Sequence, residues 1–179
     1  MEKVNSAEYN WYAVYVKSRA EKKAQAELQY KEIESFLPLQ RKLRQWSDRK
    51  KWVEIPLISG YLFVRISRKE YDFVLQSNFI VSYVRFEGTA AVIPEKQIDF
   101  LKLMLKQASV DIEITQGSFE PGQNIEVISG PLIGLQGKLV RIKGKNKLAV
   151  ELEQLGYSAL VEIMMDDVRI AETDRSETK

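Results

Sequence analysis

The 179-residue chain contains no cysteine and no histidine. It therefore has no thiol nucleophile and no disulfide, and it lacks the side chains of the common zinc sites and of histidine-based triads. A carboxylate enzyme stays open, but the acidic residues follow ordinary surface patterns, and Asp166 with Asp167 is the one adjacent acidic pair. We expect a protein that is not an enzyme and that carries no cofactor and no metal.

Long apolar runs are also absent, and no stretch approaches the roughly 20 residues that a membrane helix needs. The apolar residues 11–16 are too few for the core of a signal peptide, and Lys17 follows them directly. We expect a cytoplasmic protein without a membrane partner.

The net charge of +2 conceals an asymmetry between the two halves of the chain. Residues 1–107 hold 19 Lys and Arg against 13 Asp and Glu, a net charge of +6, whereas residues 108–179 hold 8 against 12, a net charge of −4. Such a split indicates two units with different partners, and the first suits a phosphate backbone or an acidic protein surface.

Strand and helix patterns alternate over the first hundred residues. Residues 11–16 are typical of a strand covered on both faces. Ser18 and Glu21 have the spacing of a capping box, which predicts a helix from residue 18 to about residue 31. Further strands, and helices after a second box at Ser67 and Glu70 and at Pro94, make an α+β sandwich the expected fold of this half.

The stretch 51–66 is the centre of this first half. Pro56 cannot donate to a β ladder, so a first strand should end there, and Gly60 permits the positive φ of a sharp reversal. We expect a hairpin broken by the proline. Leu57 and Ile58 at its bend are apolar, which indicates either a loop packed on the body or a contact for a partner.

Short strands separated by glycine-containing turns dominate the second half. We predict them at residues 124–128, 138–142, 148–153 and 158–163. This spacing is typical of a small all-β barrel. We therefore divide the chain into a first domain (1–107), a linker (108–118) and a second domain (119–172), with a short strand at 112–114 as an alternative within the linker.

Both halves resemble known modules. The second carries Gly122-x4-Val127-Ile128-x-Gly130-Pro131-Leu132-x-Gly134-Leu135-x-Gly137-Lys138-Leu139. This pattern resembles a KOW motif, which implies an SH3-like barrel. Three segments of the first half resemble the N-terminal domain of the NusG transcription elongation factors, which implies a ferredoxin-like α/β sandwich. They are Trp11-Tyr12-Ala13-Val14, Arg19-Ala20-Glu21-Lys22-Lys23 and Pro56-Leu57-Ile58-Ser59-Gly60-Tyr61-Leu62-Phe63-Val64.

Within this family, Gln45-Trp46-Ser47-Asp48-Arg49-Lys50-Lys51-Trp52 resembles the UpxY-type paralogues. The resemblance implies an antitermination factor for a capsular polysaccharide operon, a monomer that suppresses pausing by bridging the clamp of RNA polymerase. The implied contacts with the polymerase clamp helices are Trp11, Tyr12, Ile58 and Tyr61. The turn Gly130-Pro131-Leu132 is the implied contact for termination factor Rho or a small-subunit ribosomal protein, although Leu132 stands where general family members often have phenylalanine.

The most basic segment, residues 41–51, has six cations against Asp48 alone. A solvated hairpin tip would explain the charge, but Trp46 among the cations suits stacking on an unpaired base. We expect contacts with nucleic acid, either non-template DNA or nascent RNA. The residues concerned are Arg41, Lys42, Arg44, Trp46, Arg49, Lys50 and Lys51.

Two other classes of function stay open at this point. KOW barrels also occur in ribosomal proteins, and a basic aromatic loop suits RNA, so the chain could be a ribosome-associated or RNA-binding module. A nuclease would need carboxylates that hold a metal, and we interpret Asp166 and Asp167 instead as surface residues at a strand end.

Overall fold

The computed structural model describes residues 8–45, 48–107, 111–119 and 122–171. The chain divides into two compact units, Met1–Asp99 and Phe100–Lys179, and the division falls within the helix α3 (Glu95–Lys106). The expected α+β class is confirmed, and the boundaries at residues 107 and 118 stay predictions. Among the described residues, no helix is long and apolar enough to cross a membrane.

An antiparallel sheet forms the base of the first unit. Its strands are β1 (Asn10–Val16), β2 (Glu34–Phe36), β5 (Tyr61–Ile66), β6 (Ile80–Tyr83) and β9 (Val92–Ile93). They are ordered β2-β5-β1-β6, and β9 also pairs with β1. Strand β2 lies at an edge of the sheet. Strand β5 runs between β1 and β2, and both of its faces are buried, which explains why its residues are almost all apolar.

Helices α1 (Glu21–Tyr30) and α2 (Tyr71–Leu75) pack on one face of this sheet. Ala24 and Leu28 recur at helical spacing on α1 and are fully buried, and Val74 of α2 joins the same apolar cluster. The sheet contributes Val14, Val16, Leu62, Val64 and Ile66 to that cluster.

Of the two predicted capping boxes, one is confirmed and the other is wrong. The Glu70 carboxylate accepts hydrogen bonds from the Ser67 N–H at 2.8 Å and from its hydroxyl at 2.7 Å. The helix α1 instead begins at Glu21, with Ala20 as the N-cap residue and no side-chain cap. Arg19 has a left-handed backbone (φ 58°), so the chain does not enter the helix at Ser18.

The predicted hairpin over residues 51–66 is also wrong. Strand β4 (Lys50–Pro56) pairs with β3 (Leu39–Gln45) in a separate two-stranded ribbon, and β5 pairs with β1 and β2. Pro56 does end β4, as expected. The following N–H, that of Leu57, then donates to the Pro38 carbonyl at 2.7 Å, so the chain leaves the ribbon before it enters the main sheet.

A small hairpin follows β6. Its strands are β7 (Arg85–Phe86) and β8 (Thr89–Ala90), and they are joined by Glu87 and Gly88 with φ of 50° and 82°. Two consecutive positive φ values mark the tight turn that matches strand twist.

The second unit is a six-stranded antiparallel sheet. Its strands are β10 (Ile112–Gln116), β11 (Asn124–Val127), β12 (Gln136–Ile142), β13 (Lys145–Leu152), β14 (Tyr157–Glu162) and β15 (Val168–Ile170), in the order β10-β14-β13-β12-β11-β15. The four predicted strands are β11 to β14. A Cβ on Gly137 would lie 2.5 Å from the Ala149 carbonyl oxygen, so the close approach of β12 to β13 requires glycine there.

Strand β10 lies inside the segment expected to be a linker. Ile112 is buried and pairs with Val161, and the Glu113 carboxylate lies 2.6 Å from the Lys147 ammonium of β13. The segment 108–118 is therefore not a free connection over its whole length. The alternative of a short strand at residues 112–114 describes it better, since the apolar side chain of Ile112 needs a covered face.

Candidate functional site

The opening strand sends its two aromatic residues to opposite faces of the sheet, as alternation requires. Trp11 is buried, with Ile93 of β9 opposite it. Tyr12 is half-buried on the helix side, with its ring edge-on to Tyr71 at 6.1 Å and to Tyr83 at 5.9 Å between centroids. Trp11 and Tyr12, both expected to contact the polymerase, are therefore used mainly in packing within the first unit.

The tyrosines around Tyr12 form a stacked cluster. The rings of Tyr71 and Tyr83 are 4.0 Å apart and nearly parallel, and the Tyr83 hydroxyl donates to the Tyr71 carbonyl at 2.8 Å. Burial raises the pKa of Tyr83 well above its usual range, and the neighbouring Tyr71 adds to the effect. The Arg68 guanidinium lies 5.0 Å from the centre of the Tyr71 ring. The three tyrosines therefore form a rigid support, and the Tyr83 hydroxyl stays protonated.

Ile58 and Tyr61 lie on either side of the Gly60 turn, and both are buried. The Tyr61 hydroxyl is 3.5 Å from that of Tyr15, its partner across the strands, and the two ring centroids are 5.0 Å apart. Tyr15 is 40% exposed. It is the accessible member of the pair, and the sequence interpretation missed it because alternation alone does not say which ring reaches the surface.

Gly60 is held from two sides. Its carbonyl accepts from the Val16 N–H at 2.8 Å, and its own N–H donates to the Glu21 carboxylate at 2.9 Å. Glu21 is buried, and Gly60 has φ +81°. The glutamate that was expected to cap its own helix instead fixes a turn 39 residues further along the chain.

A concavity of about 760 Å³ lies between this turn and the start of α1. Its lining consists of Val16, Ser18, Arg19, Glu21, Lys22, Lys23, Pro56, Ser59 and Gly60. Three cations stand around it, and Trp11, Tyr12, Ile58 and Tyr61 are not among the lining residues. The four predicted residues therefore do not form the surface of this concavity.

The basic residues lie on the β3–β4 ribbon, which extends the predicted loop into two strands. Arg41, Lys42 and Arg44 are on β3, whereas Lys50 and Lys51 are on β4. All are exposed except the half-buried Lys42. Arg49, also exposed, lies 4.0 Å from Asp48, a surface contact of little energetic value. Trp46, the predicted stacking residue, lies outside the described residues.

Another tryptophan of the same ribbon was not selected from the sequence. Trp52 is 56% exposed, and the Arg41 guanidinium lies 5.7 Å from its ring centre. Its place in an ordinary strand pattern gave no sign that the ring would be exposed.

In the second unit, the predicted partner turn has mixed exposure. Gly130 has φ +77° and Pro131 is exposed, but Leu132 is buried. The exposed apolar side chains beside the turn are Ile128 and Ile133, at 44% and 61% exposure.

The acidic pair Asp166 and Asp167 lies just before β15. The Ser129 hydroxyl donates to the Asp167 carboxylate, and the Asp167 carbonyl accepts from the Ile128 N–H at 2.8 Å. Across the described part of the chain, no group of three or more acidic side chains is placed to hold a metal ion.

Comparisons with known proteins give a consistent result. Residues 9–102 match the family model described as "NusG: Transcription termination factor nusG". The chain is similar to the transcription termination/antitermination protein NusG of Bacillus subtilis strain 168, with 25% identity over 169 residues, 87% of this chain and 95% of that protein. The protein of the same name in Staphylococcus aureus strain Mu50 is 24% identical over 176 residues, 88% of this chain and 93% of that protein.

The fold has a solved counterpart as well. The structure described as "Domain interaction in Thermotoga maritima NusG" has a TM-score of 0.50 to this chain at 20% identity, and the match covers 92% of this chain and 98% of that one. At that identity the likeness supports the shared fold.

Proposed function

Because this chain belongs to the NusG family, we propose that it is a transcription termination/antitermination factor that binds RNA polymerase through its first unit. The observation that carries the proposal is the family match over residues 9–102, which falls on the unit with the Gly60 turn and the basic ribbon. Its action is mechanical: the bound factor suppresses pausing or termination, and no bond is made or broken. We place it in the cytoplasm as a monomer, where it meets the polymerase.

The polymerase contact is proposed around the Gly60 turn. Tyr15 offers an exposed ring backed by the buried Tyr61, and such an aromatic anchor with a fixed base is typical of binding hot spots. The double anchoring of Gly60 fixes the turn before binding, which lowers the entropy lost on association.

The four contact residues that the family resemblance implies also have a place in this proposal. Trp11 is buried on the same face of β1 as Tyr15, and buried Tyr61 backs the Tyr15 ring. Ile58 is buried before the Gly60 turn, whereas Tyr12 lies on the opposite face, with the helices. The cations at the concavity would face acidic groups on the clamp helices of the polymerase.

Nucleic acid is the second proposed partner of the first unit. The described strands of the ribbon carry five cations and one acid, Glu54. Glu54 forms an ion pair with the Lys22 ammonium at 3.1 Å. A phosphate backbone close to the polymerase, in non-template DNA or nascent RNA, fits this surface.

The second unit is proposed to recruit a further protein through the Gly130-Pro131-Leu132 turn. Buried Leu132 holds the turn, and exposed Pro131, Ile128 and Ile133 supply the apolar contact. Rho and a small-subunit ribosomal protein are the two partners to be tested. The operon is proposed to be a capsular polysaccharide operon, on the strength of the UpxY-like segment at residues 45–52.

The test is in vitro transcription by purified polymerase on a template with a pause site and a terminator. We expect the wild-type chain to increase read-through, and we expect Tyr15→Ala to reduce that effect. Tyr30→Ala is the matched control, because Tyr30 is 90% exposed on α1 and lies outside the proposed contact. If the chain leaves read-through unchanged and co-purifies with ribosomal particles instead of polymerase, the ribosome-associated alternative replaces this proposal.

A further inference from the structure

The two faces of the β3–β4 ribbon differ in exposure. In an antiparallel pair, residues directly opposite each other share a face. One face, the inner face, includes buried Gln40 and half-buried Lys42, Val53 and Ile55. The opposite face is exposed at every position from Arg41 and its partner Glu54 outward. We call it the outer face, and it consists of Arg41, Leu43, Gln45, Lys50, Trp52 and Glu54.

The centre of the outer face is apolar. Leu43 and Trp52 are directly opposite each other, and they are 50% and 56% exposed. Arg41 is diagonal to Trp52, and its guanidinium lies 5.7 Å from the ring centre. A large ring held between a leucine and a guanidinium is a flat, preorganised platform, and its exposure has no benefit for the fold.

Positive charge lies beside this platform, toward the tip of the ribbon. On the outer face Gln45 pairs with Lys50, whereas the pair of Arg44 and Lys51 lies on the inner face. Within the described part of the chain, no acidic group lies within salt-bridge distance of Arg44, Lys50 or Lys51. The acid of the outer face, Glu54, is engaged by Lys22. The surface therefore combines an aromatic platform with unneutralised positive charge.

We propose that the outer face binds an unpaired nucleic-acid strand, with one base stacked on Trp52 and with Arg41 and Lys50, the cations of the same face, against the phosphates. Bases in a duplex have their flat faces covered by neighbouring bases, so an exposed ring favours a single strand. The inference rests on the proposed function, because a factor carried by a transcribing polymerase works beside unpaired strands. It adds to that function the face of the ribbon that binds and the residue on which a base stacks.

The experiment measures fluorescence anisotropy of labelled oligonucleotides with the full chain. The probes are a thymidine DNA strand and a uridine RNA strand of about 12 nucleotides, within the site sizes of single-strand binders, and a DNA duplex of equal length. The variants are Trp52→Ala, Trp52→Phe and Lys50→Ala, with Lys51→Ala as the matched change on the inner face. Tyr30→Ala controls for the loss of an exposed aromatic ring elsewhere.

We expect Trp52→Ala to weaken single-strand binding about tenfold or more, as for the loss of a stacked base, with little change in its salt dependence. Trp52→Phe should retain most of the affinity because the ring remains. Lys50→Ala should instead reduce the slope of log affinity against log salt by roughly 0.7, and Lys51→Ala should change it less. The DNA and RNA probes decide which strand is preferred.

Several results would overturn the inference. One is that the wild-type chain binds no single strand, and another is that Trp52→Ala weakens single-strand binding no more than Tyr30→Ala does. An equal loss of affinity for the duplex and for the single strands in Trp52→Ala would also overturn it. A loss of affinity for nucleic-acid-free core polymerase without a loss on oligonucleotides would make Trp52 a protein contact instead. Oligonucleotide binding that persists in a chain unable to bind polymerase would refute the proposed function and not the stacking site.

Discussion

The buried Glu21 carboxylate allows the sharpest test of how the fold holds its candidate site. Glu21→Ala removes the acceptor of the Gly60 N–H, which now lies at 2.9 Å from a carboxylate oxygen. Loss of a hydrogen bond to a charged group, with a donor left unpaired, costs about 1.5–3 kcal/mol. The better helix propensity of alanine returns only a few tenths of a kcal/mol. We therefore expect a loss of about 2 kcal/mol in the free energy of unfolding of the first unit.

Urea unfolding followed by tryptophan fluorescence measures this loss, because all three tryptophans lie in the first unit. With a typical urea slope of about 2 kcal/mol per molar, the midpoint should fall by roughly 1 M. Glu21→Gln keeps an acceptor and should lose about half as much. Lys23→Ala, an exposed change on the same helix turn, is the control. A midpoint for Glu21→Ala equal to that of the control would refute the view that Glu21 fixes the Gly60 turn.

Three further predictions concern other parts of the chain. Gly60→Ala should lower the free energy of unfolding by about 1 kcal/mol, as measured by urea unfolding, because alanine disfavours the positive φ at this position. A steric clash does not contribute, because a Cβ there would be 3.9 Å from the Val16 carbonyl oxygen. The hydrogen bond from Lys31 lowers the pKa of Glu27, so the stabilising effect of the Glu27 carboxylate should be full above about pH 4.5 and be lost as the pH falls further. The difference in stability between wild type and Glu27→Gln should therefore be smaller at pH 3.5 than at pH 7. Leu132→Ala should destabilise the second unit by about 2–4 kcal/mol in thermal unfolding, whereas Ile133→Ala should change it by less than about 0.5 kcal/mol.

Local patterns in the sequence were enough to predict four of the six strands of the second unit and the Ser67–Glu70 capping box. Both depend on interactions between residues close in the chain, such as turn glycines and a side chain bonded three residues away. The same logic failed at Ser18, because Glu21 finds a donor 39 residues away. A non-local hydrogen bond leaves no spacing signal in the sequence.

Strand pairing was the other limit. The pattern of residues 51–66 located both strands and the break at Pro56, but it did not specify their partners, and β4 joined β3 instead of β5. The exposure of Tyr15 and Trp52 could not be derived for the same reason. Each depends on which elements cover a face, and that is decided by the assembled sheet.

The central claim is that the surface around Tyr15 and the Gly60 turn binds RNA polymerase. The most direct measurement is the affinity of the purified chain for core polymerase by biolayer interferometry, for wild type, Tyr15→Ala and Tyr30→Ala, with the stability of each variant checked by urea unfolding. We predict binding that Tyr15→Ala weakens about tenfold or more while its fold is retained, as for a hot-spot residue, and that Tyr30→Ala leaves unchanged. Equal affinity of all three chains, or no binding by wild type, would contradict the account.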